Sequence, residues 1–478
     1  MQRTIAVIGG GAAGVILSAH LLRAAAPFGP ERSVRVVLVD PAETPGRGLP
    51  YRTTDPRHTL NAVVARLSAL DDDPEHLLRW CASAGVPAEP GTFLQRADFG
   101  RYLTELLGSV PVPAGSEVRH VRGTVVDVTE VGDDAGVGDG TAKSPGTADA
   151  PGVLLTLADG GTLHADDAVL ALGTPPPVRL PEYEPWGDRY VADPWSPGLD
   201  ARAAGARRVL VVGTGLTTLD VVAHLHALLP EATFTAVSRG GVLPAAHAED
   251  PLPPAVRVDL AGRPAGTSAG TLVGAVDQVR RHVADERAAG RDWRAVIDAI
   301  RPQVNPIWAR LTPEEQATFQ REHARSWENV RHRMSYAMRS HVDQLLADGV
   351  LTLGTVDEVR GAGWDTVTFD LVVGATGLPA LTSPGWNPLV DALLARGLVR
   401  LHRLGTGLDL TADAALVDTA GVGHPRLRAM GLARRGLEWE CTSVPDLRRQ
   451  AAQLADDLLG QNSSSRRHAA VALRQRMG

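Results

Sequence analysis

Three glycines near the N-terminus have the spacing that binds the phosphates of a dinucleotide. Gly9, Gly11 and Gly14 form a G-x-G-x-x-G motif within the run IAVIGGGAAG. In such a motif the first glycine permits a tight turn, the second lets the backbone approach a pyrophosphate, and the third lets the helix pack on its strand. Ala12 and Ala13 open that helix, whose free N–H groups and dipole favour an anion. The motif therefore predicts a phosphate site at these five residues.

The elements around the motif are those that a dinucleotide site requires. An apolar strand precedes it, a helical run follows it, and a second apolar strand at residues 34–39 ends in Asp40. An acid at that strand end is placed to accept hydrogen bonds from ribose hydroxyls. Residues 168–172 are a further buried strand, and Gly173 follows it. We assign Asp40 and Gly173 to the same cofactor site.

A second copy of this plan begins after Arg208. The run VLVVGTGLTTLD places Gly213, Gly215, Leu216 and Thr217 between an apolar strand and a helix, with Thr218 at the third glycine position. Its glycine turn and helix start again predict a nucleotide phosphate site.

The strand that follows this second copy ends in Ser238 and Arg239 instead of an acid. These side chains suit a 2′-phosphate, which an acid would repel, so they favour NADPH over NADH. The alternative interpretation is a solvated arginine at a strand end.

The spacing of the two motifs predicts an α/β fold of two Rossmann-like dinucleotide-binding domains, with a helical insertion in the second. We expect an FAD-binding domain at residues 1–200 and 378–478, and an NADPH-binding domain at 201–377. The insertion occupies about 271–340, where helical spacing is frequent. Thr376 and Gly377 end the last strand of the second domain and join its cofactor site.

Composition excludes several classes of function. A net charge of −7 gives no reason to expect a nucleic acid partner. The two cysteines, Cys81 and Cys441, form no C-x-x-C motif, so we expect neither a dithiol redox centre nor a metal site. The sequence shows no apolar run of membrane-spanning length, and we expect a cytoplasmic protein without a membrane partner.

Two dinucleotide folds, an acid after the first and an arginine after the second, resemble the flavoproteins that bind FAD in one unit and NAD(P)H in the other. The segment from Asp370 to Gly377 is similar to the D-x3-F-A-T-G segment of N-hydroxylating flavin monooxygenases, although Gly374 replaces their Phe. Other runs resemble an FAD/NAD(P)-binding family that includes nitrosuccinate-forming enzymes. They are HTLN at 58–61, FGRY at 99–102, GTGLT at 213–217, SRG at 238–240 and GLEWE at 436–440.

The resemblance implies an FAD- and NADPH-dependent monooxygenase that oxidises a small molecule, at the nitrogen of an amino acid or amine. Its co-substrate is molecular oxygen and its route is a flavin C4a-hydroperoxide. The expected substrate is small and polar, such as aspartate. Two alternatives stay open: an NADPH-dependent flavin reductase or dehydrogenase without oxygen insertion, and a non-catalytic NADPH-sensing flavoprotein. The oligomeric state is open as well.

Within this resemblance, three residues are candidates for the flavin site. Asn61 has an amide that both donates and accepts, and can hold the oxygen-reactive region. A turn asparagine that satisfies local backbone is the alternative. Arg96 approaches the flavin or its phosphates, or else is a surface arginine beside a helix. Thr442 lies at the start of the last helix, whose N-terminus favours negative charge on the flavin.

The remaining candidates are assigned to the substrate. Trp439 lines the pocket, and Glu440 receives an ammonium or acts as a base, with a structural salt bridge as the alternative. Arg331 and Arg333 clamp a carboxylate bidentately, or else belong to a solvated helix face.

Overall fold

The computed structural model describes residues 2–131, 151–252, 256–260, 271–361, 369–377, 381 and 385–460. The sequence predicts a loop at 132–151, a polar and basic tail at 461–478 and a short strand at 366–369, and these segments lie wholly or mostly outside the described residues.

The first sheet has six strands and contains the N-terminal motif. Its order across the sheet is β13-β14-β7-β1-β2-β3, and only the β13–β14 pair is antiparallel. The strands are β1 Arg3–Ile8, β2 Val34–Asp40, β3 Glu117–Arg122, β7 Asp167–Leu170, β13 Ala415–Val417 and β14 Gly423–Ala429. Because a C-terminal strand pairs with β7, the chain returns to its first unit after leaving the second.

The second sheet has five parallel strands in the order β11-β10-β9-β12-β8. They are β8 Tyr190–Val191, β9 Arg208–Val212, β10 Thr233–Ser238, β11 Leu351–Thr355 and β12 Leu371–Gly374. In each of these two sheets the strand before a glycine motif is central, since β1 pairs with β2 and β7, and β9 pairs with β10 and β12. The predicted fold class is confirmed.

A third, antiparallel sheet consists of β4 Val125–Val131, β5 Gly152–Leu157 and β6 Thr162–Ala165. The alternation of apolar residues at 118–131 and 152–163 predicts a single hairpin, and the structure differs at its first strand. β3 instead extends the first sheet. It pairs in parallel with β2, and Val118 lies opposite Val36.

Fourteen α-helices complete the described chain. The first unit and its C-terminal return hold α1 Ala12–Ala25, α2 His76–Ser83, α3 Arg96–Ser109, α13 Pro388–Ala395 and α14 Val444–Leu458. The second unit holds α4 Leu199–Ala203, α5 Leu216–Leu228, α11 Tyr336–Ala347 and α12 Val356–Gly361. The insertion holds α6 Leu272–Ala288, α7 Arg294–Ile300, α8 Val304–Trp308, α9 Pro313–Thr318 and α10 Ala324–Arg331.

The domain boundaries stay a prediction, with one observed departure. β8 pairs with β12 in the second sheet, although residues up to 200 were assigned to the first unit. From the sequence, Asp98 is a plausible N-cap for a helix at 98–107, but helix α3 begins at Arg96 after an N-cap at Gln95. Asp98 lies in the first turn of α3, where its negative charge interacts favourably with the helix dipole.

One helical run, Ala12–Arg32, is long and apolar enough to span a membrane by length and composition, which the sequence analysis did not expect. Its place in the fold is that of a core helix. Helix α1 packs against α14, α3 and β2, and Ile16, Leu17 and Leu21 are fully buried there. The apolar run therefore covers one face of the first sheet.

Candidate cofactor and substrate site

The turn after β1 can be made only by glycine at two positions. Gly9 has a φ of +109°, and a Cβ atom there would lie 2.3 Å from the carbonyl oxygen of Ala171. At Gly14 a Cβ atom would lie 1.9 Å from the carbonyl oxygen of Gly9. The first and third glycines of the motif therefore hold the strand, the turn and the helix together.

The second glycine of the motif has a different environment. Gly11 is the N-cap of α1 with no side-chain cap, and a Cβ atom there meets only the Cα of Gly48, at 3.6 Å. Ala12 and Ala13 form the uncapped first turn, which contains no acidic residue. Open space beside free N–H groups at a helix start fits a pyrophosphate.

Asp40 stabilises this turn from the end of β2. Its carboxylate accepts hydrogen bonds from the N–H groups of Gly10, at 2.6 Å, and Ala42, at 2.8 Å. The carboxylate thus lies directly beside the glycine motif, and its contact with a ribose stays a prediction.

The second motif repeats this geometry. Gly213 has a φ of +139°, and a Cβ atom there would lie 2.0 Å from the carbonyl oxygen of Ala375. Gly215 is the N-cap of α5 with no side-chain cap, and the space where its Cβ would lie is open. Leu216 and Thr217 follow in the first turn. A phosphate fits here by the same argument as in the first motif.

The two side chains predicted to read a 2′-phosphate have different surroundings. The Ser238 hydroxyl lies 2.8 Å from Thr214 Oγ1 and accepts from the N–H of Gly241 at 3.0 Å, so it orders the loop after β10. Arg239 is exposed, and its guanidinium has no partner among the described residues. Arg239 is therefore free to pair with an anion, whereas Ser238 is already engaged.

Three further predicted cofactor residues lie at the carboxyl ends of parallel strands. Gly173 follows β7, and Thr376 and Gly377 follow β12, and all three are exposed. Ligands of open α/β sheets bind at this edge, so their position agrees with the prediction without testing it.

Arg96 lies between the two units. Its Nη2 pairs with Asp220 of α5 at 2.6 Å and its Nε donates to the carbonyl of Thr59 at 3.1 Å. The expected alternative of a surface arginine is wrong, because only 16% of this side chain is exposed. A direct contact with the flavin stays a prediction.

Asn61 is half-buried, and its side-chain amide has no protein partner among the described residues. Its backbone carbonyl accepts from His247 Nε2 at 3.1 Å. Burial, and then the nearby Arg333, lower the pKa of His247 to about 4. A neutral histidine thus holds the Asn61 backbone and leaves its amide available for a ligand.

Glu440 is held by three side chains from the helical insertion. Its Oε1 accepts from Trp327 Nε1 at 2.8 Å, and its Oε2 lies 3.5 Å from Arg331 Nη2. The side chain of Asn305 bonds both backbone groups of Glu440, at 2.7 and 2.8 Å. Glu440 therefore forms a salt bridge with Arg331, as the alternative interpretation of this residue predicted. The adjacent Trp439 is buried and packs on Trp308, with ring centroids 5.1 Å apart.

The two arginines expected to clamp one carboxylate have different partners. Arg333 pairs with Asp298 at 2.5 Å, whereas Arg331 pairs with Glu440. Each keeps buried guanidinium nitrogens that have no hydrogen bond to a described residue: Nε and Nη2 of Arg331, and Nε and Nη1 of Arg333. The solvated-face alternative is wrong, because both side chains are buried to about nine-tenths or more. Unsatisfied buried donors of this kind suit an anionic ligand.

A third arginine, which the sequence analysis missed, lies in the same region. Arg301 donates to Ser443 Oγ at 2.9 Å, at the N-cap of α14 and next to Thr442. Burial, and then Arg331, lower the pKa of Arg301 to about 10. The start of the last helix thus brings Arg301 together with the buried Asp446 of its first turn, which accepts from the same Ser443 hydroxyl.

Arg325 was also missed, although its Nη2 lies 3.4 Å from Thr214 Oγ1 in the second glycine motif. No local pattern distinguishes Arg301 or Arg325 among the many arginines of the chain. Only the packing of the insertion brings them to the site.

A family model described as FAD-NAD(P)-binding matches residues 6–175. This segment contains the first glycine motif, Asp40 and β7, so FAD/NAD(P) binding by the first unit is confirmed, whereas the bounds of the domain stay a prediction. No curated protein sequence matches the chain.

Solved structures of similar fold cover almost the whole chain. An ornithine hydroxylase from Pseudomonas aeruginosa is 13% identical, with a TM-score of 0.56 over 96% of this chain and 99% of that one. L-lysine 6-monooxygenase from Pseudomonas syringae is 15% identical, with a TM-score of 0.59 over 96% and 99%. An ornithine N-hydroxylase from Kutzneria sp. 744, solved with reduced FAD, NADP+ and L-ornithine, is 15% identical, with a TM-score of 0.57 over 97% and 100%. The chain therefore has the fold of the N-hydroxylating flavin monooxygenases, with an FAD-NAD(P)-binding domain at residues 6–175.

Proposed function

We propose that this chain is an FAD- and NADPH-dependent monooxygenase that oxidises the nitrogen of an amino acid or amine. The observation that carries the proposal is the extent of the structural similarity, which spans nearly the full length of this chain and of the amine hydroxylases. A likeness restricted to the first unit would not favour an amine over other substrates.

The residues of this chain then have the following roles. The turn at Gly11 binds the FAD pyrophosphate, and the turn at Gly215, with Arg239, binds NADPH. When bound, the reduced flavin supplies the electrons that activate molecular oxygen. The amide of Asn61, which can both donate and accept, would hold the oxygen-reactive region of the flavin.

The buried charges of the insertion orient the substrate. The unsatisfied donors of Arg331 bind a carboxylate, and Glu440 accepts a hydrogen bond from the amine. A charged substrate group enters such a site only if it finds a partner there, because an unpaired buried charge is too costly.

Coupling of the three reactants tests the proposal. With its amine substrate, the FAD-loaded protein should consume NADPH and oxygen and form N-oxidised product in equal amounts for each oxidation step. A panel of amines that yields only slow peroxide formation, together with rapid reduction of an artificial electron acceptor, would favour the flavin reductase instead.

A further inference from the structure

A cavity of about 750 Å³ lies within the helical insertion. Its wall is mainly aliphatic and aromatic, and includes Val279 and Val283 of α6, Ile300 of α7, Trp308 of α8 and Trp327 of α10. Pockets that bind small molecules have volumes of roughly 300–1,000 Å³ and walls of this kind. The cavity therefore has the size and chemistry of a site for an apolar ligand.

Helix α6 gives a second, independent observation. It has 17 residues, yet only Leu272 and Gln278 are buried among them. Three of its other apolar side chains, Val276, Val279 and Val283, follow helical spacing and line the cavity. These three valines pack against apolar clusters that include Ile300 and Trp308, yet they are only half-buried. Protein interiors are close-packed, so among the described residues the space beside this stripe has room for an apolar ligand.

One end of this cavity reaches the proposed substrate site. Trp327 and Trp439 both line the cavity, and Trp327 also donates to Glu440. Val330 lines the cavity as well, and the next residue, Arg331, pairs with Glu440. The side chain of Trp327 thus contacts both the apolar cavity and Glu440 of the ion pair.

We propose that the substrate is an amino acid with an aromatic or branched aliphatic side chain. That side chain lies in the insertion cavity, and the amine and carboxylate lie at Glu440 and Arg331. This inference rests on the proposed function, and it replaces the small polar substrate that the sequence analysis expected. A polar side chain such as that of aspartate would leave the cavity wall uncovered and lose its own hydration.

Calorimetric titration of the FAD-loaded protein tests the inference without reference to turnover. The probes are L-tryptophan, L-phenylalanine and L-leucine, compared with L-ornithine and L-aspartate. We expect at least one apolar amino acid to bind tenfold or more tightly than either polar one.

Two tryptophan variants of the same helix then locate the site. Val279→Trp fills the cavity and should weaken binding of the apolar amino acid at least tenfold. Val273→Trp is the matched control, because Val273 is 68% exposed on α6, and it should bind like the unchanged protein.

Stronger binding of ornithine or aspartate, or equal binding by the two variants, would overturn the inference. Because binding is measured directly, these outcomes are separate from those of the coupling experiment. An apolar amino acid that binds in the cavity but yields no N-oxidised product would count against the proposed function alone.

Discussion

Arg96 on α3 and Asp220 on α5 form an ion pair at 2.6 Å that connects the two dinucleotide-binding units. Only 16% and 6% of the two side chains are exposed. Burial raises the pKa of Asp220 to about 6, and the charge of Arg96 opposes this rise. The positive charge of Arg96 therefore stabilises the ionised form of a carboxylate that is buried away from water.

Replacement of Arg96 should destabilise the protein in a pH-dependent manner. Arg96→Gln leaves a buried carboxylate unpaired, which costs about 3–5 kcal/mol when such a charge stays ionised. The pKa of Asp220 rises further without its partner, so at pH 5 the carboxyl is neutral and the loss should be smaller than at pH 8. Denaturant unfolding at both pH values measures this difference. The double variant Arg96→Gln/Asp220→Asn should recover stability at pH 8, and an equal loss at both pH values would contradict the prediction.

Gly11→Val should remove FAD while the fold remains. The space beside Gly11 is open, so the new side chain occupies the position of the pyrophosphate and not that of protein atoms. The absorbance of bound flavin measures the loss of FAD, and the circular dichroism spectrum shows whether the fold remains. Gly215→Val is the matched variant of the second motif, and it should keep FAD and lose NADPH. Wild-type flavin content in Gly11→Val would refute the assignment.

Arg239→Ala should reduce the preference for NADPH over NADH. A charge-assisted hydrogen bond contributes about 1.5–3 kcal/mol, so the ratio of the two rates of flavin reduction at low coenzyme concentration should fall roughly tenfold or more. The control is Arg119→Ala, which removes an equal charge from an exposed position on β3. If the ratio of the rates with NADPH and NADH is unchanged, another residue binds the 2′-phosphate.

The buried His247 should make stability depend on pH below neutrality. Its pKa falls from 6.5 to about 4 in the fold, so below pH 6.5 the unfolded chain binds a proton that the folded protein excludes. Its contribution is thus complete above pH 6.5 and is lost as the pH falls toward 4, by up to roughly 1.4 kcal/mol per pH unit. Denaturant unfolding of His247→Gln between pH 7 and 4 should show a shallower decline than the unchanged protein. Parallel curves would show that this histidine titrates normally.

Glu440→Gln should weaken amine binding without preventing flavin reduction by NADPH. The amide still accepts from Trp327, but the charge that receives the amine is gone, so KM for the amine should rise about tenfold or more. Glu328→Gln serves as control, since Glu328 lies on α10 and pairs with Arg435 at 2.9 Å instead. An unchanged amine KM would leave Glu440 with a structural role only.

Several predictions from the sequence were limited to neighbours along the chain, and these succeeded. The strands β1, β2 and β9 and the helices α1 and α14 were identified from apolar periodicity and glycine spacing. Apart from the N-cap of α3, which lies at Gln95, the errors concern contacts between distant elements. The strand β3 was paired with the wrong partner, and the bond from Trp327 to Glu440 was not foreseen.

The sequence by itself determined the two glycine motifs, the order of strands and helices around them and the acid at Asp40, because turn sterics and side-chain periodicity are properties of adjacent residues. Only the tertiary structure decided that Arg96 meets Asp220, that Arg331 and Arg333 take different partners and that the insertion encloses an apolar cavity. Those contacts join residues up to 124 positions apart, and they depend on how whole helices and sheets pack. No local pattern records that packing, so the charged pairs and the cavity emerge only when the elements are assembled.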